Sequence, residues 1–364
     1  MKILFIGSRL YDDVDWYVKS KGIESILTES NEDAINLDLP DQVFIVPRGM
    51  EGPKQIALMQ GVDAVIPLIG IDPPLIDVAR MKEEIESEHG IPVIAAGVRA
   101  VELTSNKIKT KEFYSQINVV SPRYQILNSP DELTLDFPVV LKQGEGQGGK
   151  DIKVATSMSD VEEYFTQFSQ ALCEEFVDGV EISIEVLGFK GEYVALPPIY
   201  KGKTTLEGTH PLNKVKTGPC DVDGLDNNLV QHVAYKIARN LDSDGIFEMD
   251  FMYSPGKDQL YAIEVNTRPN GTRYLTTATC GVNSLCELVN MAVGEFSVVN
   301  IFDKLDYFYS TEIPVGNYEG DKPREPVKSF NHNNFVVHGP EGYKRITIRA
   351  NSKKELKDLI DKLT

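Results

Sequence analysis

Short apolar runs that end at glycine recur through the first hundred positions: Lys2–Gly7, Asp63–Gly70 and Ile91–Gly97. Continuous runs of this length fit strands covered on both faces of a parallel sheet. The segments between them, Pro74–Glu88 among them, are long enough for crossover helices. That alternation predicts a small doubly wound α/β domain over residues 1–100. The pattern then changes. Asn106–Ser115 predicts a helix with a polar face, Arg123–Leu127 a strand, and Phe137–Gln143 a strand running into a glycine-rich loop. Ser159 and Glu162 have the spacing of a capping box opening a helix over Asp160–Phe168, and Ala171–Val177 returns to strand. Val230–Leu241 has the spacing of an amphipathic helix. Phe247–Tyr253 and Leu260–Asn266 predict a hairpin with a long loop, and Ser284–Val293 a helix. In the tail, Phe335–His338 and Tyr343–Arg349 read as strands, followed by a helix capped near Ser352. Four segments follow from this reading, at 1–100, 101–180, 181–300 and 301–364.

Composition narrows the function classes. The 364 residues carry 37 Lys+Arg against 55 Asp+Glu, a net charge of −18. A chain this acidic lacks the basic footprint of a nucleic-acid binder, although a local lysine cluster with a metal can still hold an anionic small ligand. No apolar run reaches the roughly 18 residues of a membrane-spanning helix, and the N-terminus lacks the long apolar stretch of an export signal. The four cysteines form no C-x-x-C pair, so reduced thiols and a cytoplasmic location are expected. Cys280 and Cys286 read as small packing residues. The first turn, Gly7-Ser8-Arg9-Leu10, is not G-x-G-x-x-G, which argues against a dinucleotide site.

Three stretches carry chemistry. Lys142 to Lys150 has glycines at 144, 146, 148 and 149 with a lysine at each end. Backbone N–H groups in such a loop can cradle an anion, although the stretch alone also fits a flexible hairpin tip. In the hairpin, strand alternation puts Glu248 and Asp250 on one face, and Glu264 and Asn266 on one face of the partner strand. Hard oxygen ligands of this kind suit Mg²⁺ shared with substrate phosphates; a solvated acidic face is the alternative, weakened by the apolar Phe247, Phe251 and Ile263. Arg268 follows two residues later, placed to clamp a transferring phosphoryl group or an acyl phosphate. Glu174 to Glu181 reads as strand–turn–strand, offering an apolar slot at Phe176-Val177 and carboxylates for ribose, or else a surface hairpin. The five histidines are scattered without H-E-x-x-H. His210 lies in the polar stretch 201–219 with Lys203, Lys214 and Lys216, which can reach phosphates or a substrate carboxylate or can form a mobile surface loop. Arg273 and Tyr274 can bind a carboxylate or cap their loop.

In this order, the motifs resemble the ATP-grasp superfamily of carboxylate–amine ligases. The resemblance runs over about residues 1–300. It implies a pre-ATP-grasp Rossmann-like domain, an ATP-grasp fold of mixed α/β and α+β character with a small lid subdomain and a large one, and a small C-terminal α/β extension. It also assigns roles. Lys107, which with Ser105-Asn106 opens a helix, and Lys142 match the phosphate-binding lysines. Gly144 to Gly149, with Gly146 and Gly148, match the loop that closes over the phosphates. Glu174, Phe176 and Val177 match the adenine contacts, and Glu181 the ribose contact. Glu248, Glu264 and Asn266 match the Mg²⁺ ligands, with Asp250 beside them and Mn²⁺ as a substitute metal, and Arg268 matches the residue that steadies the acyl phosphate. Within the superfamily the layout is similar to the carbamoyl-phosphate-synthase-like group, and most of all to the pyrrolysine-biosynthesis ligases, which join a lysine to a methylornithine carboxylate. The traits that carry this are Glu174-Glu175-Phe176-Val177, the run 245–250 and the helix start at Gly281-Val282-Asn283; Asn266 and the segment 202–220 depart from the pattern. The implied partners are small carboxylate and amine substrates, and a homodimer is compatible. A carbamoyl-phosphate-type kinase of bicarbonate or carboxylate, and a nucleotide-binding regulator without turnover, are the competing classes.

Overall fold

The computed structural model describes residues 1–146, 151–206, 213–269 and 271–364. The first region builds a parallel sheet from β1 (Lys2–Ile6), β2 (Glu24–Glu29), β3 (Gln42–Ile45) and β4 (Ala64–Pro67), in the order β3-β2-β1-β4. Its apolar residues Leu4, Ile26 and Val65 face Met81 and Ile85 of the helix Leu75–His89, as the run-and-crossover pattern requires. The run Ile91–Gly97 contributes a single bridge, Val93 to Val65, rather than a strand. Pro92 has no N–H for a ladder, and the helix Val98–Thr104 starts immediately after Gly97.

The second region is an antiparallel sheet of β5 (Tyr124–Leu127), β6 (Val139–Lys142), β7 (Lys153–Ala155) and β8 (Ala171–Glu175), in the order β5-β8-β6-β7. The helix that covers it spans Met158–Phe165, two residues earlier at its start than the sequence pattern predicts. Ser157 and Asp160 form the capping box in place of Ser159 and Glu162, because Ser157 is the residue with extended backbone. The Asp160 carboxylate accepts from the backbone N–H of Ser157 at 3.0 Å.

The third region contains β9 (Val180–Phe189), β10 (Glu192–Ala195), β11 (Ile199–Lys203), β12 (Lys216–Gly218), β13 (Gly245–Ser254), β14 (Gln259–Asn266), β15 (Tyr309–Gly316), β16 (Phe335–His338) and β17 (Lys344–Ala350). They form one sheet in the order β14-β13-β9-β11-β12-β15-β17-β16, with β10 on β9. The C-terminal strands therefore continue this sheet through the β12–β15 pair. The amphipathic helix Asn227–Leu241 packs Val230, Ala234 and Ile237 against Phe247, Met249 and Val265 of the same core. Glu174 to Glu181 is not a surface hairpin. Its first strand belongs to the second sheet and its second to the third, so the segment is the crossing between them. Glycine is required at 179, where a Cβ would stand 2.1 Å from the Tyr253 carbonyl oxygen. Among the described residues, no helix is long and apolar enough to cross a membrane.

Candidate active site

The acidic face is built by strand register. Glu248 on β13 lies opposite Asn266 on β14 and opposite Glu185 on β9; Asp250 lies opposite Glu264 and Ser183. Cross-strand partners share a face, so these side chains gather on one side of three adjacent strands. Glu248 is buried and accepts from Ser183 Oγ at 2.9 Å and Thr272 Oγ1 at 3.2 Å. Asn266 donates its Nδ2 to Glu264 Oε1 at 3.0 Å, which turns its amide oxygen away from that carboxylate. Lys201 donates to Asp250 Oδ2 at 2.6 Å, and Lys214 pairs with Glu181.

Burial, and then the neighbouring Asp250, raise the Glu248 carboxyl above its ordinary range, with Lys201 acting the other way. Burial followed by Glu248 pushes Glu185 up to about 7. Asp250 Oδ1 and Glu185 Oε2 are buried without a hydrogen-bond partner. Mutually repelling carboxylates with an unpartnered oxygen fit a hard divalent cation, which takes oxygen ligands. Among the described residues no three His, Cys, Asp or Glu side chains are gathered tightly enough to hold an ion by themselves.

The cationic side starts at the helix Lys107–Gln116. Asn106 caps it, accepting from Ile108 N at 3.0 Å and Lys109 N at 3.1 Å. The first helical residue, Lys107, holds the glycine loop twice: its backbone N–H donates to Gly144 O at 2.7 Å and its Nζ to Gly146 O at 2.7 Å. Lys142 Nζ is 2.8 Å from Glu174 Oε2, and Lys111 Nζ is 3.1 Å from Glu174 Oε1. Burial lowers Lys107 and brings Lys111 down to about 8. Burial works to raise the Glu174 carboxyl, but Lys142 and Lys111 outweigh it and hold the group below its ordinary value. Gly148, Gly149 and His210 lie outside the described residues.

The remaining candidates divide. Phe176 and Val177 sit at the crossing, with the Phe176 N–H already bonded to Pro138 O. Arg268 is ion-paired with Asp72 of the first domain and feels the charge of Glu248. Arg273 binds Asp13 of the first domain at 2.9 and 2.7 Å, in a knot that includes Tyr274 and Lys328. Lys216 pairs with buried Glu312 at 2.9 Å, beside Arg345 and His338. Lys203, at the end of β11, is exposed. Sequence reasoning passed over Lys111, Glu185, Lys201 and Asp72. Lys111 carried a signal, one helical turn beyond Lys107, and so did Glu185, at even spacing from Glu181. Lys201 and Asp72 carried none.

A doubly wound first domain, two sheets meeting at a glycine crossing, and lysines facing a carboxylate ladder define a nucleotide-handling α/β protein. The model of the ATP-grasp domain matches residues 104–272. The carbamoyl-phosphate synthase of Methanobrevibacter smithii is 72% identical over 366 residues, covering 100% of both chains. The chain belongs to the ATP-grasp family. Solved structures share the fold at low identity. The biotin carboxylase domain of Hydrogenobacter thermophilus 2-oxoglutarate carboxylase, solved as a dimer with MgADP, ADP and bicarbonate, has a TM-score of 0.78 at 19% identity, covering 100% of this chain and 89% of that one. The L-amino acid ligase from Bacillus licheniformis has a TM-score of 0.75 at 18% identity, covering 99% of this chain and 97% of that one.

Proposed function

We propose that this chain is an ATP- and Mg²⁺-dependent ligase that joins a carboxylate to an amine. The carboxylate oxygen attacks the γ-phosphorus of ATP, giving an acyl phosphate and ADP. The amine then attacks the acyl carbon, the C–O bond to phosphate breaks, and inorganic phosphate and a proton leave. The observation that carries this reading is the convergence of Glu248, Glu264 and Asn266 on one sheet face, with the Arg268 charge acting on Glu248. Glu248, Glu264 and Asn266 would hold Mg²⁺ or Mn²⁺, which supplies charge neutralisation at the phosphate oxygens. Lys107 and Lys142 orient the phosphates under the glycine loop, Phe176-Val177 hold the base, and Glu181 takes the ribose hydroxyls. Arg268 steadies the charge that develops on the acyl phosphate. Phosphoryl transfer of this kind needs positioning and charge rather than a nucleophile–base pair.

A second reading has its own support. The full-length relative at 72% identity is named a carbamoyl-phosphate synthase, which favours bicarbonate as the activated acid and ammonia as the amine. The likeness to pyrrolysine-biosynthesis ligases favours amino acids instead. Four buried, unpaired cysteines suit a reducing, cytoplasmic compartment, and a homodimer is a workable assembly. The test is a panel of carboxylates, bicarbonate included, crossed with amines and ammonia and scored for nucleotide product. Amino-acid-dependent ADP release supports the first reading, and bicarbonate-dependent ADP release the second. AMP with pyrophosphate refutes both.

A further inference from the structure

Lys111 is a buried lysine that no role above uses. It lies on the inner side of the helix Lys107–Gln116 with 1% of its surface exposed, and its ion partner is Glu174 at 3.1 Å, a charge contact in which neither Lys111 Nζ nor Glu174 Oε1 makes a hydrogen bond. Glu174 is itself 3% exposed and divides its two oxygens, Oε1 to Lys111 and Oε2 to Lys142. Lys107, one turn before Lys111, rests on the Gly146 carbonyl oxygen. Both lysines assigned to the phosphates are therefore held by protein groups: Lys107 by a loop carbonyl and Lys142 by a carboxylate. Lys107 and Lys111 also feel the charge of Glu264, and Lys107 that of Asp72, so the lysine cluster is partly compensated within the protein and Lys142 is the member held by Glu174. Lys142 is available to phosphates only if it can leave Glu174 without stranding a buried, uncompensated carboxylate, which is among the most destabilising outcomes of breaking a buried pair.

We infer that Lys111 is a positioning residue that keeps Glu174 neutralised, so that Lys142 can exchange Glu174 for the nucleotide phosphates. This rests on the nucleotide reading proposed above. It also gives Glu174 a task beyond contact with adenine: it carries the lysine that the phosphates receive.

The test is a double-mutant cycle with Mg²⁺ and a non-hydrolysable ATP analogue, read by calorimetry beside thermal melts of each protein. In Lys111→Met, Lys142 becomes the sole partner of Glu174, and analogue affinity is expected to fall by about tenfold or more while the fold persists. Adding Glu174→Gln removes the stranded charge and keeps an acceptor oxygen. The double variant is expected to return to within about threefold of Glu174→Gln alone, a coupling that loss of packing would not produce. If Lys111→Met melts too low to be read, the same cycle is run with Lys111→Gln. Unchanged affinity in the single variant, or a double variant as weak as the single one, overturns the inference and leaves the nucleotide reading standing. No binding by the unaltered chain overturns the nucleotide reading, and this inference with it.

Discussion

Replacing Glu248 by glutamine separates two effects that act in opposite directions. Gln keeps the shape and an acceptor oxygen for the hydroxyls of Ser183 and Thr272, which lie at 2.9 and 3.2 Å. What disappears is one negative charge facing Asp250 and Glu185 on the same sheet face. The Glu248 carboxyl is raised above its ordinary value, so the native state disfavours its ionised form. For a raised carboxylate, the stabilising contribution is present below the unfolded pKa and is lost as pH rises through the folded one. Near neutrality the charge therefore works against folding, and the glutamine variant is expected to melt higher than the parent in the absence of ligand. Binding is expected to go the other way. Mg-ATP at about a hundred times its Kd stabilises the parent by about 2.7 kcal/mol. With about 2.1 cal/mol/K of unfolding entropy per residue, a 364-residue chain melting as one unit shifts by about 3 to 4 °C. The variant is expected to lose that shift, and turnover should drop by about a hundredfold or more. Differential scanning calorimetry with and without Mg-ATP, beside steady-state rates on the same preparation, reads both effects. A variant that melts several degrees lower without ligand makes Glu248 a fold residue. One that keeps the ligand shift and the rate removes it from the metal site.

Arg268→Ala should bind Mg-ATP almost as the parent does and turn over about 10² to 10³ times more slowly, because the charge it steadies develops only during reaction. Calorimetry and turnover together check this, and nucleotide affinity lost in step with rate would show that the Asp72–Arg268 pair mainly fixes the first domain on the site. In a working reaction the nucleotide product should be ADP, with inorganic phosphate in equal amount, measured by chromatography. His338, buried against Glu312 and stacked on Tyr274 at 4.0 Å, is pushed down to about 3 by burial, from an ordinary 6.5. The native state therefore binds fewer protons than the unfolded chain below pH 6.5. The stability His338 allows is whole above that pH and falls by about 1.4 kcal/mol per unit toward pH 3. His338→Gln should flatten urea-unfolding stability between pH 6.5 and 4.5, and an unchanged slope there would contradict the burial argument.

Much of the layout of the candidate site was legible in the residues because it depends on local periodicity. Alternation along β13 and β14 paired Glu248 with Asp250 and Glu264 with Asn266 before any sheet was known. Asn106, Asn283 and Ser352 are helix caps whose side chains accept backbone N–H bonds, a signal confined to three or four consecutive positions. The capping box shifted by two residues because a serine and an acid three apart occur in two overlapping registers there, and only backbone conformation chooses between them. Other features came from tertiary structure alone. The order β11-β9-β13-β14 brings Lys201 to Asp250 and Glu185 to Glu248, pairs 49 and 63 positions apart, and sheet order is set by how whole layers pack. Docking of the first domain supplies Asp72 to Arg268 and Asp13 to Arg273 from nearly two hundred positions away or more. The C-terminal strands look like a separate extension in the chain, yet they complete the large sheet, because β12 offers an open edge whose backbone groups β15 satisfies. Residue spacing determines which side chains share a face; which faces meet, and so which charges are compensated, is decided by packing between distant elements.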